Sequence, residues 1–152
     1  MKYHTIVSAL FLGVFCFLIG CGGGGTNLSG LAPCSGTVML KGTPVEGASI
    51  VFIPKSGQRA AAATTDAQGR FTVTTLNPQD GIAPGEYVVT VSKKEFYGPE
   101  LPPQKDEFGE MYNPQRPQKN TLPDQYASAE RTPLTVTIPS GGNKNLEINL
   151  DE

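Results

Sequence analysis

Two nearby motifs decide the fold of this chain: Thr65-Asp-Ala-Gln-Gly69-Arg-Phe71 and Pro84-Gly-Glu-Tyr87-Val-Val-Thr-Val91. In the first, Asp66 is placed to cap its own turn, and Gly69 supplies the positive φ that closes it. The second is a run of β-branched and aromatic residues, which is typical of a β-strand. We therefore expect a hairpin turn and a long strand, with Phe71 and Tyr87 pointing inward from neighbouring strands.

The sequence on both sides of these motifs continues the pattern of short β-rich runs separated by turn residues, which is typical of an all-β sandwich. We predict seven strands, over residues 36–40, 48–53, 59–65, 70–74, 85–92, 134–138 and 145–150. Between the fifth and sixth of these runs lies a segment, residues 97–123, that has six prolines and no Val or Ile. We predict that this segment is a long Pro-rich loop leaving one end of the sandwich.

The order of these motifs resembles a known domain family. Residues 36–48 resemble the opening hairpin of carboxypeptidase regulatory-like domains, and the two motifs quoted above resemble that family's central signature. The resemblance covers residues 34–95 and 122–150, and the last part is similar to small bacterial lipoproteins that carry this domain. It implies a small Ig-like, transthyretin-like β-sandwich over residues 34–152, of a class that is mostly non-catalytic.

The N-terminus has the layout of a secretory signal. A short positive start with Lys2 is followed by a run of about fourteen mostly apolar residues, which is too short to span a bilayer. The run ends Leu18-Ile-Gly-Cys21, which resembles the lipobox of bacterial lipoproteins. That resemblance implies removal of residues 1–20, attachment of diacylglycerol to Cys21, and acylation of the new amino terminus with a fatty acid such as palmitate.

Residues 21–33 begin with four glycines and are predicted to be a flexible tether that separates the domain from the membrane. The residue after Cys21 is Gly22, and not the Asp that retains some bacterial lipoproteins at the inner membrane. By analogy, this favours an extracytoplasmic protein anchored to the outer membrane.

Composition excludes several classes of function. The single His of the chain is His4, so the processed chain has no Ser–His–Asp triad, no Cys–His pair and no His–metal site. The formal charge of −2 gives no clustered positive field for a nucleic acid. We expect no cofactor and no metal, and we expect Cys34 to be a small buried residue. Asp106, Glu107 and Glu110 lack the pattern of a calcium loop and are interpreted as solvated.

The aromatic residues of the Pro-rich loop are the candidate contacts with a partner. Tyr97, Phe108 and Tyr112 offer rigid rings with a large contact area, although packing of such rings over the sandwich is the alternative interpretation. We therefore predict a lipid-anchored envelope module without catalytic activity, which acts as a structural or protein-binding unit. One alternative is a carbohydrate-binding module that stacks sugars on Tyr97 and Tyr112. Another is a hydrolase that uses Asp and Glu alone.

Overall fold

The computed structural model describes residues 30–151, and these residues form an all-β domain. The predicted signal peptide (1–20), the predicted lipidation site Cys21 and most of the predicted tether (21–33) lie outside the described residues. Within the described range, no helix has the length and apolar character needed to span a membrane.

Residues 30–151 contain twelve strands and one short 3₁₀ helix. The strands are β1 (Cys34–Leu40), β2 (Thr43–Pro44), β3 (Ser49–Pro54), β4 (Ala61–Thr64), β5 (Arg70–Thr72), β6 (Gly85–Ser92), β7 (Lys94–Phe96), β8 (Gln104–Lys105), β9 (Met111–Tyr112), β10 (Gln118–Asn120), β11 (Thr135–Ile138) and β12 (Asn143–Leu150), and the 3₁₀ helix is Asp124–Ala127.

The predicted count of seven strands is therefore too low for this part of the chain. Each predicted run overlaps a strand, and the five additional strands are β2, β7, β8, β9 and β10. These five are two or three residues long, so they have no stretch of alternating apolar residues from which a strand is recognised in sequence.

The longer strands form two sheets, an arrangement consistent with a β-sandwich. The first, here called the β6 sheet, has the order β11-β6-β3-β4 and is antiparallel throughout. In the second, the β1 sheet, β12 pairs in parallel with one edge of β1, and β2 and β5 pair antiparallel with its other edge.

The two sheets share one hydrophobic core because each strand alternates between the core and solvent. On β6, the side chains of Tyr87, Val89 and Val91 are fully buried, whereas the residues between them are not. The ring of Phe52 on β3 lies 6.2 Å from that of Phe71 on β5 and 6.4 Å from that of Tyr87, measured between centroids. The Phe52–Phe71 contact joins the two sheets, whereas Phe52 and Tyr87 lie on neighbouring strands of the β6 sheet. Phe71 and Tyr87 point inward as the sequence predicts.

The turn between β4 and β5 carries the chain from one sheet to the other. The Oδ1 atom of Asp66 accepts hydrogen bonds from the backbone N–H groups of Gln68 (2.9 Å) and Arg70 (2.8 Å). Gly69 has a φ of 72°, a left-handed conformation that glycine adopts without strain. The structure confirms the turn expected from this motif.

The chain enters the sandwich at one end and makes its longest excursion from the other. Ala32 and Pro33, at the end of the predicted tether, are held by the domain: Ala32 pairs with Ile82, and the Pro33 carbonyl accepts a hydrogen bond from the Asn143 N–H. β6 starts three residues after Ile82 and runs to the opposite end before β7 begins. We call these the proximal end and the distal end.

Candidate functional site

The segment from β7 to β10, residues 94–120, projects from the distal end and is called the distal extension here. Its base is a two-stranded ladder in which β7 pairs with β10. The ladder continues by one hydrogen bond, from the N–H of Tyr97 to the carbonyl of Pro117 at 3.0 Å. Farther along, β8 and β9 form a second hairpin. The predicted Pro-rich loop therefore has β-structure of its own.

The β8–β9 hairpin is closed by the same device as the turn between β4 and β5. Oδ1 of Asp106 accepts hydrogen bonds from the N–H groups of Phe108 and Glu110, both at 2.9 Å, and Gly109 has a φ of 83°. The carboxylate of Asp106 thus shapes the turn. No group of three metal-ligating side chains occurs between residues 30 and 151.

The distal extension carries most of the exposed apolar surface of the described domain. Seven large hydrophobic side chains are exposed among residues 30–151, and six of them lie in the extension. These six are Phe96, Tyr97, Leu101, Phe108, Met111 and Tyr112; the seventh, Leu76, lies between β5 and β6. Soluble domains rarely concentrate exposed apolar groups unless the region contacts something else.

Two of the three predicted contact residues lie on one hairpin. Phe108 is in the β8–β9 turn with 82% of its surface exposed, which makes it the most exposed of these apolar residues. Tyr112 lies on β9, and its hydroxyl donates a hydrogen bond to Oε1 of Gln104 on β8 at 3.1 Å. Tyr97 lies instead at the end of the β7–β10 ladder, so the structure places it on a different element.

Two features of this surface were not predicted from the sequence. Met111 lies beside Tyr112 on β9 and is 60% exposed. The guanidinium of Arg116 sits over the ring of Phe96, 5.6 Å from its centroid, and donates a hydrogen bond from Nη2 to the Gly98 carbonyl at 3.0 Å. Arg116 and Phe96, but not Met111, line an open groove of about 700 Å³ together with Leu101 and several prolines. The one feature of the sequence that could have indicated this surface is the number of apolar residues close to Phe108.

A different aromatic residue secures the chain where it returns from the extension. Tyr126, in the 3₁₀ helix, is 3% exposed, and its hydroxyl accepts a hydrogen bond from the N–H of Asp151 at 2.9 Å. Leu122 is buried beside the same core. Packing over the sandwich is therefore observed for Tyr126, whereas Tyr97, Phe108 and Tyr112 remain exposed.

Cys34 and Asp80, which both lie outside the extension, have altered pKa values. Burial alone raises the pKa of the Cys34 thiol to about 11, which keeps it protonated at neutral pH. At Asp80, burial also acts to raise the carboxyl pKa, but the N–H groups of Asn77, Thr75 and Leu76 outweigh it and hold the pKa below its usual value. Cys34 is part of the core and Asp80 closes a loop, so both are explained by structure.

The comparisons with known proteins bear on the domain itself. Residues 34–103 match the family model of the carboxypeptidase regulatory-like domain. The match supports such a domain in this chain, and domains of this kind are regulatory, non-catalytic modules with an Ig-like fold. The structure completes the two sheets with β11 and β12, which lie beyond the matched residues. No match was found among curated proteins or among solved structures.

Proposed function

We propose that this protein is a non-catalytic, lipid-anchored module of the cell envelope that binds a partner protein through its distal extension. The observation that carries the proposal is the concentration of exposed Phe, Tyr, Met and Leu side chains in residues 94–120. A non-catalytic Ig-like module is compatible with a structural or interaction role.

The direction of the chain supports this use of the extension. If Cys21 carries the lipid, the membrane lies on the side of the proximal end, where residue 32 enters the sandwich. The eight residues of β6 then separate the extension from that end by roughly 25 Å, at about 3.3 Å per residue. An anchored domain of this shape presents its apolar side chains away from the bilayer.

The charge around Phe108 indicates the chemistry of the partner. Asp106, Glu107 and Glu110 surround Phe108, and Lys105 is the one cation in the same hairpin. Because a negative rim repels anionic lipid and anionic sugars, the surface fits a protein with an apolar pocket and a basic border.

Site-specific photocrosslinking in cells tests the proposal. A photoreactive residue is introduced at Phe108, at Tyr112 or at Leu76, and the adducts are identified by mass spectrometry. Leu76 is the matched control, because it is exposed and apolar but lies outside the extension. We expect one protein to be captured from positions 108 and 112 and not from position 76. Phe108→Ala should then weaken binding of that purified protein by about tenfold or more.

Two results would contradict the interaction role. Adducts confined to the protein's own sandwich would show that the extension packs on itself, and equal capture from Leu76 would show non-specific contact. Binding to a neutral glycan that is lost in Tyr112→Ala would support a carbohydrate-binding module instead. The anchor is tested separately, since Cys21→Ser should move the chain out of the membrane fraction.

A further inference from the structure

The last strand of the domain has one edge that no other strand covers. Val38 on β1 directs both of its backbone groups away from β12, because its N–H donates to Gly69 and its carbonyl accepts from the N–H of Val45. Val38 is paired with Ile148 of β12. By the alternation of backbone groups along parallel strands, Ile148 bonds to the residues on either side of Val38. The backbone groups of Glu147 and Asn149 therefore point to the opposite, outer edge.

That outer edge is open among the residues that the structure describes. β1 is the one strand that pairs with β12 there, and no backbone hydrogen bond reaches Glu147 or Asn149 from the outer side. The other side of the sandwich is closed differently, since Ala62 on β4 exchanges two backbone hydrogen bonds with Thr74, both at 2.8 Å. The two sheets are thus hydrogen-bonded to each other beside β4 and β5, whereas the outer edge of β12 is free.

Features that discourage strand pairing are confined to the start of β12, where Lys144 lies. β12 is eight residues long, contains no proline, and alternates regularly from Leu146 to Leu150. Its irregularity is confined to the start, where the register with β1 shifts between the Cys34 and Gly36 pairs. From Leu146 to Leu150 the edge is regular and has no proline, and edges of this kind pair readily with another strand.

Charge selects how a second copy would pair. If two β12 strands pair antiparallel with Glu147 opposite Glu147, two carboxylates face each other. If they pair with Asn149 opposite Asn149, Glu147 of one copy faces Asp151 of the other, which again places two carboxylates together. Shifting the strands so that Glu147 faces Asn149 of the other copy removes both conflicts and places an amide donor opposite each carboxylate. A pairing centred nearer Asn145 meets the irregular start of the strand, where the Asn145 N–H already bonds to the side chain of Asn143.

We propose that two copies of this chain associate through antiparallel pairing of their β12 strands, with Glu147 of each copy opposite Asn149 of the other. In this register, Ile148 meets Ile148 and Leu146 meets Leu150 on the core side. The two β1 sheets then continue as one sheet across the dimer. This inference is independent of the distal extension, which leaves the opposite end free for another partner.

Disulfide trapping tests both the contact and its register. Two differently tagged full-length copies are co-expressed, one with Glu147→Cys and the other with Asn149→Cys, and are oxidised with diamide. Directly opposite residues of a hydrogen-bonded antiparallel pair have Cα atoms about 5.5 Å apart, within the roughly 4.4–6.8 Å that a disulfide spans. Cys34 does not compete, because it is buried and its thiol stays protonated. The parent chain and a Thr72→Cys pair, on the far edge of the same sheet, are the controls.

We expect a crosslinked heterodimer from the 147/149 combination, at least about tenfold more than from either control. Asn149→Pro removes an outward N–H without breaking the pairing of β12 with β1, so it should raise the dimer dissociation constant at least about tenfold in sedimentation velocity. Its folding is verified by circular dichroism. A folded chain that gives no 147/149 crosslink, or that crosslinks equally well through 147/147, would overturn the proposal.

Discussion

Thr65 makes the sharpest test of how the two sheets are held together. It is the buried polar residue of the described domain, with 5% of its surface exposed, and it lies in the connection between β4 and β5. Its hydroxyl accepts a hydrogen bond from the N–H of Ala48 at 2.8 Å and donates one to the carbonyl of Val45 at 2.6 Å. The Thr65 hydroxyl therefore provides the hydrogen-bond partner of one buried N–H and one carbonyl in the connection between β2 and β3.

Thr65→Val keeps the shape of the side chain and removes both hydrogen bonds. Ala48 is fully buried and Val45 nearly so, which leaves a donor and an acceptor without water or protein partners. Each unpaired buried backbone group lowers the free energy of unfolding by about 1–3 kcal/mol. Burial of the methyl group that replaces the hydroxyl raises it by about 1 kcal/mol. We expect the free energy of unfolding to fall by about 2–4 kcal/mol.

Urea unfolding followed by circular dichroism measures this change as a lower midpoint at an unchanged slope. Thr65→Ser retains the hydroxyl and should cost only about 1 kcal/mol. Thr64→Val, at the exposed neighbouring position on β4, should change stability by less than about 0.5 kcal/mol. If Thr65→Val were as stable as Thr64→Val, the assignment of Thr65 as the link between the two connections would be refuted.

Asp80 and Cys34, which have altered pKa values, provide two further tests. The carboxyl of Asp80 has a lowered pKa in the folded state, so the stability it contributes is present above the pKa of the unfolded chain and is lost as the pH falls through the folded value. Asp80→Asn should cost about 1 kcal/mol at pH 7, because it weakens the hydrogen bonds to the carboxylate. It should also lose less stability than the parent chain between neutral and acidic pH, as measured by urea unfolding at each pH. Cys34 should resist iodoacetamide at pH 7 until the protein is unfolded, and Cys34→Ala should cost about 1–2 kcal/mol; rapid labelling of the folded chain would contradict its burial.

The local sequence was enough to locate the long strands and their turns. The β-branched and aromatic run around Tyr87 and the Asp-x-x-Gly spacing at Asp66 are local patterns, so they are readable without tertiary contacts. The Asp106 turn follows the same rule, since Gly109 lies three residues after Asp106, whereas the sequence interpretation of Asp106, Glu107 and Glu110 was only that they are solvated.

The short strands of the extension were not predictable in this way. Strands of two or three residues are stabilised by the partner strand that reaches them, and that partner is far away in sequence: Phe96 pairs with Gln118. Exposure of Phe108, Met111 and Tyr112 was equally undetermined, because an aromatic residue in a Pro-rich segment packs or projects according to where the sandwich lies. Tyr126, which packs, has no local pattern that distinguishes it from Tyr112.

The sequence by itself therefore determined an all-β domain, its principal strands, the hairpin turn at Asp66 and the absence of histidine from the described domain. Only the tertiary structure decided which strand edges are covered, that the chain enters at the end opposite the extension, and which aromatic rings face solvent. The physical reason is range: strand periodicity and turn chemistry act between near neighbours, whereas edge pairing and burial depend on contacts between residues as distant as Gly36 and Leu146.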